Sequence, residues 1–408
     1  MKVCGVIAEF NPLHNGHAHL LSELKRPDGV GASHVVAVMS GNFVQRGEPA
    51  LLPKFERAKM ALACGADVVI ELPTPYALSS AEGFARTGVA LLAALGCVDT
   101  LAFGSECGDA AALKKAADAL QTDKCESLLR YHLEGGISFA EARQKALTET
   151  AGAAAGDLLS SPNNTLAIEY LHALSALGAS MNAVTVKRVG AEHDAAVPLG
   201  NVASASYLRT LITENRLMNA LPFMPSASGN LLTEAGSRNL CPAKTEKAET
   251  ALLYRLRQMS LADFAALPGV SEGLENRLFA ASREASSIEE FLSLVKTRRY
   301  PLTRLKRLLM AAYLGLTAAF IPETPPYIRV LGATEAGYDV LRAAKANGCA
   351  LPILSRKGQA DALEGDAKTL WEFECKASDL YGLFLPAPSP CGSDLTAGFV
   401  KFEDTRDY

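Results

Sequence analysis

Residues 3–17 read "VCGVIAEFNPLHNGH" and contain the pattern that decides the fold. The first six residues are apolar or small, which is typical of a strand that is buried on both faces of a sheet. An Asn-Pro pair then predicts a turn, and from Asn15 onward apolar side chains recur three or four positions apart, as in a helix. The stretch therefore predicts a buried strand that leads, through a tight turn, to a helix beginning beside His14 and His17.

The same alternation of strand and helix continues through the first half of the chain. Two of the helical patterns end near Gly65 and Gly96, and glycine is the usual residue just after a helix. Continuous apolar strands separated by helices predict a parallel sheet with helices on both faces. We therefore expect a Rossmann-like α/β domain over residues 1–215. Its predicted strands are residues 2–8, 34–40, 67–73, 98–104 and 182–190.

A different composition begins after residue 215. Residues 216–245 are rich in Pro, Ser, Gly and Asn, so we expect a linker there. Helical patterns follow, and the chain closes with a strand, a helix, a short strand and a long helix. We therefore predict a mostly helical C-terminal domain over residues 246–408 that carries a small α/β addition.

Composition narrows the class of protein. The chain has 408 residues, a length typical of two or three domains, and its 49% hydrophobic and 21% charged residues are typical of a globular protein. A formal net charge of −4 gives no overall attraction to nucleic acid, so any RNA contact needs a local basic patch. Nine cysteines without a CxxC pair argue for a reducing compartment and against a disulfide framework or a zinc site. With no signal-peptide pattern and no membrane-length apolar run, we expect a cytoplasmic protein without membrane contact.

The turn after the first strand has the chemistry of an anion site. Gly16 allows a ligand to approach the backbone, and the free N–H groups of a helix start favour a negative charge. His14 and His17 are three residues apart, so both imidazoles can donate hydrogen bonds to the same phosphate. The simpler alternative is a strand–helix connection whose polar residues happen to include histidine.

A second motif, "SASYLR" at 204–209, supports the anion site. Taken alone, Ser204 could be a helix N-cap and Arg209 a solvated side chain. Together with the first motif and the predicted parallel sheet, however, Ser204, Ser206 and Arg209 resemble the second signature of the nucleotidylyltransferase superfamily. The first signature of that superfamily is HxGH, as in residues 14–17. Ser206 stands where threonine is commoner, and it keeps the hydroxyl group.

Longer stretches narrow this resemblance. The segments "GVIAEFNPLHNGHAHLL", "VMSGNFVQRGEPALLPKFERAKMAL", "PNNTLAIEY" and "RRYPLTRLKRLLM" are similar to the bacterial tRNA(Met) cytidine acetate ligases. The resemblance implies a nucleotidyltransferase-type catalytic domain and a ligase that uses ATP to convert acetate into acetyl-adenylate. It also implies transfer of the acetyl group to N4 of the wobble cytidine, C34, of elongator tRNA(Met), which gives N4-acetylcytidine.

The resemblance also implies the functional residues. It gives catalytic roles to His14, His17 and Arg209, and it predicts Mg²⁺ bound with the nucleotide rather than by ligands of the protein. The residues expected to contact ATP are Ile7, Ala8, Glu9, Phe10, Asn11, Pro12, Leu13, His14, Asn15, Gly16, His17, Leu20, Gly104, Asn163, Arg188, Ser204, Ser206 and Arg209.

Some of these residues have a structural alternative. Asn163 follows Pro162 at a predicted helix start and could be a cap, and Arg188 could form a salt bridge instead of binding a ligand. Four acids are expected near the active edge of the sheet, although none is assigned as a general base. They are Glu71, Glu82, Glu106 and Asp194.

Residues 296–307, "KTRRYPLTRLKR", form a basic run that contains six Lys or Arg and no acid. Because phosphate contacts dominate RNA affinity, we predict that this run binds tRNA, in a domain apart from the histidines. A solvated helix face is the alternative, and Arg46 in the loop "FVQRGEP" could contact RNA or the nucleotide. The predicted tRNA-binding residues are Lys296, Arg298, Arg299, Arg304, Lys306 and Arg307.

Two other functions fit part of the pattern. One is a nucleotidyltransferase that moves AMP to a small-molecule acceptor, which would not require the C-terminal domain or the basic run. The other is a non-catalytic nucleotide- or RNA-binding protein, which would not require both histidines and Arg209.

Overall fold

The computed structural model describes residues 1–188, 200–271 and 273–402. Asp194 and the end of the predicted strand 182–190 lie outside these residues. All nine cysteines are free thiols. Within the described ranges, no helix has the length and apolar character needed to cross a bilayer.

The strands of the first half follow the predicted positions. The strands of the described residues are β1 (Val3–Ala8), β2 (His34–Ser40), β3 (Phe43–Val44), β4 (Glu48–Pro49), β5 (Val68–Leu72), β6 (Thr100–Ser105), β7 (Asn182–Lys187), β8 (Ile328–Thr334), β9 (Ile353–Leu354) and β10 (Val400–Phe402). All five predicted strands are confirmed, as β1, β2, β5, β6 and β7.

The main sheet has a parallel centre. Five parallel strands lie in the order β7-β6-β1-β2-β5, so the strand order reverses between β1 and β6. Such a reversal leaves a crevice beyond the carboxyl ends of the two strands, which is where open α/β sheets bind ligands. A separate two-stranded hairpin is formed by β3 and β4.

The C-terminal strands extend this same sheet. Strand β8 pairs antiparallel with β5, and both β9 and β10 pair in parallel with β8. The predicted α/β addition is therefore continuous with the sheet of the first domain. All seven residues of β8 are buried, a pattern that predicts a central strand but does not name its neighbours. The domain limits at 215 and 246 stay a prediction.

The helices cover both faces of the sheet. Those of the first half are α1 (Asn15–Lys25), α2 (Lys54–Ala63), α3 (Thr74–Ala77), α4 (Ala81–Ala94), α5 (Ala110–Leu120), α6 (Asp123–Glu134), α7 (Phe139–Ala151), α8 (Ala153–Leu158), α9 (Pro162–Ala176) and α10 (Ala205–Thr213). Those that follow are α11 (Leu217–Ala220), α12 (Ser226–Ser237), α13 (Glu249–Gln258), α14 (Leu261–Ala265), α15 (Leu274–Glu284), α16 (Ile288–Val295), α17 (Leu302–Leu314), α18 (Gly337–Ala346), α19 (Lys357–Ala360), α20 (Gly365–Tyr381) and α21 (Ser393–Thr396).

The predicted linker at 216–245 is largely helical. It contains α11 and α12, and α12 packs against α2 with Leu232 and Ala235 in the core. Its Ser and Gly residues suggested a loop, but small side chains also permit close helix packing. At Gly229, for example, an added Cβ would lie 3.0 Å from Leu221 Cδ2.

Three hydrophobic clusters hold the molecule together. Alternate residues of β2 divide between two of them: Val36 and Val38 face one core, while Val35, Ala37 and Met39 face the other. This alternation is expected of a strand covered on both faces. The third cluster joins helices α13 to α17 and α20.

Candidate active site

A cavity of about 970 Å³ opens at the carboxyl ends of β1 and β6. The residues that follow β1, including His14 and His17, line its centre, and Gly104 of β6 lines it beside them. The strand order reverses at this position. The cavity therefore occupies the crevice in which a parallel sheet of this kind binds its ligand.

The two histidines are held by the start of α1. His14 is the N-cap residue, and its Nδ1 accepts a hydrogen bond from the Gly16 N–H at 3.1 Å. His17 Nδ1 accepts one from the His14 N–H at 3.4 Å, and the two rings stack with centroids 3.8 Å apart. Because each Nδ1 is an acceptor, the proton of each neutral ring lies on Nε2. The helix start thus fixes both imidazoles as Nε2–H donors.

Electrostatics keep both rings neutral. Burial, together with the positive charges of Arg188 and Arg209, lowers the pKa of His14 to about 3. Burial, His14 and Arg188 hold the pKa of His17 well below its ordinary value. Neutral imidazoles beside two guanidinium groups make a site that favours anions.

A buried arginine supports the backbone that carries the histidines. Arg57 is fully buried, and its guanidinium donates to the carbonyl oxygens of Glu9 at 2.6 Å, Ser40 at 2.9 Å and Leu52 at 3.1 Å, and also to Gly41. It thereby ties the end of β1 to the end of β2. The hydrogen bond to Glu9 supports a strained backbone, because the residue after Glu9, Phe10, has a φ of +46°, a left-handed conformation that costs about 1–3 kcal/mol.

Sequence reasoning missed Arg57. The signal that could have found it is its position on α2, three and four residues before Met60 and Ala61, which are buried. A charged residue on the apolar face of a helix must find partners in the core.

The second motif reaches the same cavity from α10. Ser204 caps that helix by accepting from the Tyr207 N–H at 3.1 Å, and its Oγ lies 3.1 Å from Ser206 Oγ. Arg209 Nη1 donates to the Asn11 carbonyl at 3.0 Å, beside the turn that precedes His14. The N-cap alternative for Ser204 is thus confirmed. All three motif residues also line the cavity.

One wall of the cavity is a polar network around the start of α9. Glu106 accepts hydrogen bonds from Asn163 Nδ2 at 2.6 Å and from the Asn164 N–H at 2.8 Å. Arg188 Nη1 donates to Asn163 Oδ1 at 3.5 Å, and burial lowers the pKa of Arg188. Asn163 is therefore not the N-cap, which is Ser161. Its side chain holds Arg188 and Glu106 together at the cavity wall.

Comparison with known proteins agrees with this geometry. A sequence model of the family described as HIGH Nucleotidyl Transferase matches residues 1–393. The tRNA(Met) cytidine acetate ligase of Thermoanaerobacter sp. (strain X514) is 37% identical over 98% of this chain and 100% of its own. That of Acetivibrio thermocellus is 36% identical, with the same coverage of both chains. The chain belongs to the tRNA(Met) cytidine acetate ligase family.

Solved structures give the same relationship in three dimensions. The crystal structure of Thermotoga maritima TmcAL (apo, form I) has a TM-score of 0.92 and 33% sequence identity, over 99% of this chain and 100% of that one. Thermotoga maritima TmcAL bound with alpha-thio ATP (form II) has a TM-score of 0.89 with the same identity and coverage. The α/β nucleotidyltransferase fold with its C-terminal addition is thus shared along the whole chain.

Most residues predicted to contact ATP line the cavity in this member of the ligase family. Three do not: Leu13 is buried in the core, and the Asn15 side chain donates to the Asn201 carbonyl at 2.8 Å. Pro12 lies between Asn11 and Leu13 in the turn, and it is not among the lining residues. These three shape the turn that presents His14. The binding roles of all the predicted residues stay predictions.

The acids take different places. Glu82 and Glu9 line the cavity, and Glu9 accepts from the Gln45 N–H at 2.7 Å while burial raises its pKa. Glu106 holds the start of α9, as described above. Glu71 lies outside the cavity, in a buried ion-pair cluster with Lys54.

The basic run is closer to the histidines than the sequence suggested. Arg307 and Thr303 of α17 line the same cavity. Lys306 forms an ion pair with Glu48, and Arg304 donates to the Gly269 carbonyl at 2.7 Å. The remaining members, Lys296, Arg298 and Arg299, are exposed. The run therefore leads from the surface into the cavity. It reaches the cavity because α17 packs on the β3–β4 hairpin, and these two segments are about 260 residues apart in sequence.

Proposed function

We propose that the protein is an ATP-dependent acetate ligase that modifies tRNA. In the first step an acetate oxygen attacks the α-phosphorus of ATP, the bond to the bridging oxygen breaks, and pyrophosphate leaves. In the second step the N4 amine of a cytidine attacks the acetyl carbonyl of acetyl-adenylate, AMP leaves, and the amine loses a proton. The acceptor is the wobble cytidine, C34, of elongator tRNA(Met), which becomes N4-acetylcytidine.

One observation carries this proposal: two sequence motifs about 190 residues apart supply the donors of one cavity in a chain of the ligase family. His14 and His17 present Nε2–H groups, and Arg209 lies across the turn that holds them. Charge that develops on the α-phosphate oxygens would be stabilised by the two imidazoles, and charge on the leaving pyrophosphate by Arg209. Serine hydroxyls at 204 and 206 add further donors at the same edge.

The polar wall at α9 supports a place for the adenosine part of ATP. Gly104 lies next to Arg188, and a Cβ at Gly104 would come within 3.3 Å of Arg188 Cγ. The missing side chain lets a planar group approach the end of β6. Arg188 and Asn163 would then contact the nucleoside.

Magnesium enters this proposal as a companion of ATP. Among the described residues no group of three or more His, Cys, Asp or Glu side chains could hold a metal ion. Mg²⁺ usually keeps several waters and binds through substrate phosphates, and a cavity whose centre presents N–H donors to the phosphates fits that form. Bound in this way, the ion would neutralise part of the triphosphate charge.

The experiment that tests the proposal follows both half-reactions in a buffered, reducing solution, as expected for a cytoplasmic protein. The protein is incubated with ATP, Mg²⁺ and acetate, with and without elongator tRNA(Met), and ATP–pyrophosphate exchange, AMP and acetyl-RNA are measured. We expect acetate-dependent exchange without tRNA and acetylated cytidine with it. Exchange that depends on a nucleotide or pantetheine acceptor instead of acetate would favour the small-molecule nucleotidyltransferase. Complete inactivity with ATP bound would favour the non-catalytic alternative.

A further inference from the structure

The cavity has a second wall, formed where the β3–β4 hairpin meets α17. Gly47, in the turn of that hairpin, has a φ of +74°, and an added Cβ would lie 2.2 Å from the Arg307 backbone nitrogen. Arg307 Nη1 donates to the Gln45 carbonyl at 3.4 Å. Lys306 pairs with Glu48 on the same hairpin. These contacts leave no room for a side chain at position 47 and fix α17 against the hairpin.

This wall lies across the histidines from the wall at α9. The hairpin follows β2, which neighbours β1 on one side, whereas Gly104 belongs to β6 and Arg188 follows β7, on the other side. His14 and His17 follow β1, between the two. With the nucleoside of acetyl-adenylate at the wall at α9, as proposed above, the wall on the other side of the histidines is the one left for the cytidine that attacks the acetyl carbonyl. The hairpin wall therefore faces the acceptor.

The hairpin wall is cationic. Arg46 and Arg307 both line the cavity, and burial, together with the charge of Arg304, lowers the pKa of Arg307. A half-buried guanidinium that faces a cavity favours an anionic ligand. From Arg307 the positive charges continue outward through Arg304, which lies 5.2 Å over the Tyr300 ring, to the exposed Arg298. Acetate is too small to need such a track, whereas a polynucleotide would follow it.

We propose that Arg46 and Arg307 bind a phosphodiester next to the cytidine that is acetylated. Their role is to hold the reacting nucleotide in the cavity, while the outer arginines of the run hold the RNA beyond it. This inference rests on the proposed function, because it assigns the acceptor side of that same reaction.

The test compares the two half-reactions in the full-length Arg307→Ala variant, with transcribed elongator tRNA(Met) as the probe. We expect kcat/KM for acetyl transfer to fall at least tenfold further than the rate of acetate-dependent ATP–pyrophosphate exchange. The slope of log affinity for tRNA against log salt concentration should become shallower by about one, the loss of one phosphate contact. Arg307→Lys should lie between Arg307→Ala and the wild type, because it keeps the charge but not the fork.

Two further variants guard the result. Arg342, on α18, has a side chain that is 73% exposed, so Arg342→Ala controls for the loss of any surface arginine and should match the wild type. Arg46→Ala tests the same wall should Arg307→Ala unfold, and we expect the same separation of the half-reactions.

The outcomes are distinguishable. An equal fall of transfer and exchange, with a raised KM for acetate, would mean that these arginines bind the acetate carboxylate. Wild-type rates of both half-reactions in both variants would mean that they bind no substrate. Either result overturns the inference and leaves the proposed function standing. A wild-type protein without exchange or transfer would overturn both.

Discussion

Two buried polar regions lie at the carboxyl end of the sheet, and they differ in charge balance. In the first, Lys54 Nζ lies 2.7 Å from Glu71 Oε1 and 2.9 Å from Asp394 Oδ1. Arg329 Nη1 lies 3.1 Å from Glu71 Oε2, and its Nη2 lies 3.1 Å from Asp394 Oδ1. Two cations therefore face two anions. The second region is the cavity, where every charge that acts on His14 disfavours protonation.

The difference separates a structural cluster from a ligand site. The balanced cluster joins the start of α2 and the end of β5 to β8 and α21, and so holds the C-terminal strands on the sheet. Glu374 lies beside it, where burial and the charge of Glu71 raise its pKa to about 8, which favours the neutral carboxyl group and so the charge balance of the cluster. In the cavity, by contrast, the charges that act on His14 are the guanidinium groups of Arg188 and Arg209, which leaves the surroundings of the histidines positive. A polyanion such as ATP would offset that charge.

The largest expected effect comes from breaking the balanced cluster. Asp394→Ala leaves Lys54 and Arg329 buried with one carboxylate between them, and removing one partner of a buried ion pair typically costs about 3–5 kcal/mol. Urea unfolding should show this loss. The matched control is Asp118→Ala, which removes a carboxylate that is 54% exposed and pairs with Lys114, and it should change stability by less than about 1 kcal/mol. Equal stability of the two variants would mean that the cluster does not hold the C-terminal strands on the sheet.

The cavity should behave in the opposite way, with a large loss of activity and a small loss of stability. His14→Asn keeps a side chain that can cap α1 but removes the Nε2–H donor, so acetate-dependent ATP–pyrophosphate exchange should fall by about 10²–10³. His17→Ala should fall similarly, with the fold intact. The free energy of unfolding of His14→Asn should stay within about 1 kcal/mol of the wild type. Exchange at the wild-type rate in both variants would take the histidines out of the chemistry.

Sequence and structure agree where the signal is local. The five parallel strands, the helix that starts at His14 and the cap at Ser204 follow from apolar runs, a turn and a capping residue within a few positions of each other. Arg57, the contact of Gly47 with α17 and the pairing of β8 with β5 do not, because each depends on segments that are brought together only by tertiary packing. Sequence alone therefore predicted the histidine side of the cavity and offered Arg46 as a possible contact. It did not predict the packing of α17 on the hairpin, and it placed the basic run in a separate domain.

Arg209 gives a smaller effect that sharpens the charge argument. Its guanidinium already donates to the Asn11 carbonyl, so it can hold the turn and a phosphate with different N–H groups. We expect Arg209→Ala to raise the KM for ATP and lower kcat in the exchange assay. For Arg209→Lys, which keeps the charge without the fork, the loss of kcat/KM for ATP should be about a tenth as large. Wild-type kinetics in both variants would leave "SASYLR" as a capped helix only.

The smallest effect is a pH dependence of stability that comes from His14 in the cavity. The ordinary pKa of histidine is 6.5, and in the folded protein burial and two arginines lower the pKa of His14 to about 3. Between these values the unfolded chain binds a proton that folded His14 does not. Acidification through this window therefore favours unfolding, and the free energy of unfolding should fall as the pH drops below about 6.5.

The measurement is urea unfolding at pH 7 and pH 5 for the wild type and for His14→Asn. The loss of stability between the two pH values should be smaller in the variant, because one group that gains a proton on unfolding has been removed. With saturating ATP, the wild type should also lose less stability between pH 7 and pH 5. A bound triphosphate would offset the positive charge of Arg188 and Arg209 and so raise the pKa of His14 towards its ordinary value. The same pH dependence in variant and wild type would mean that His14 titrates normally. The cavity would then have no excess of positive charge around His14, and the contrast with the balanced cluster would not hold.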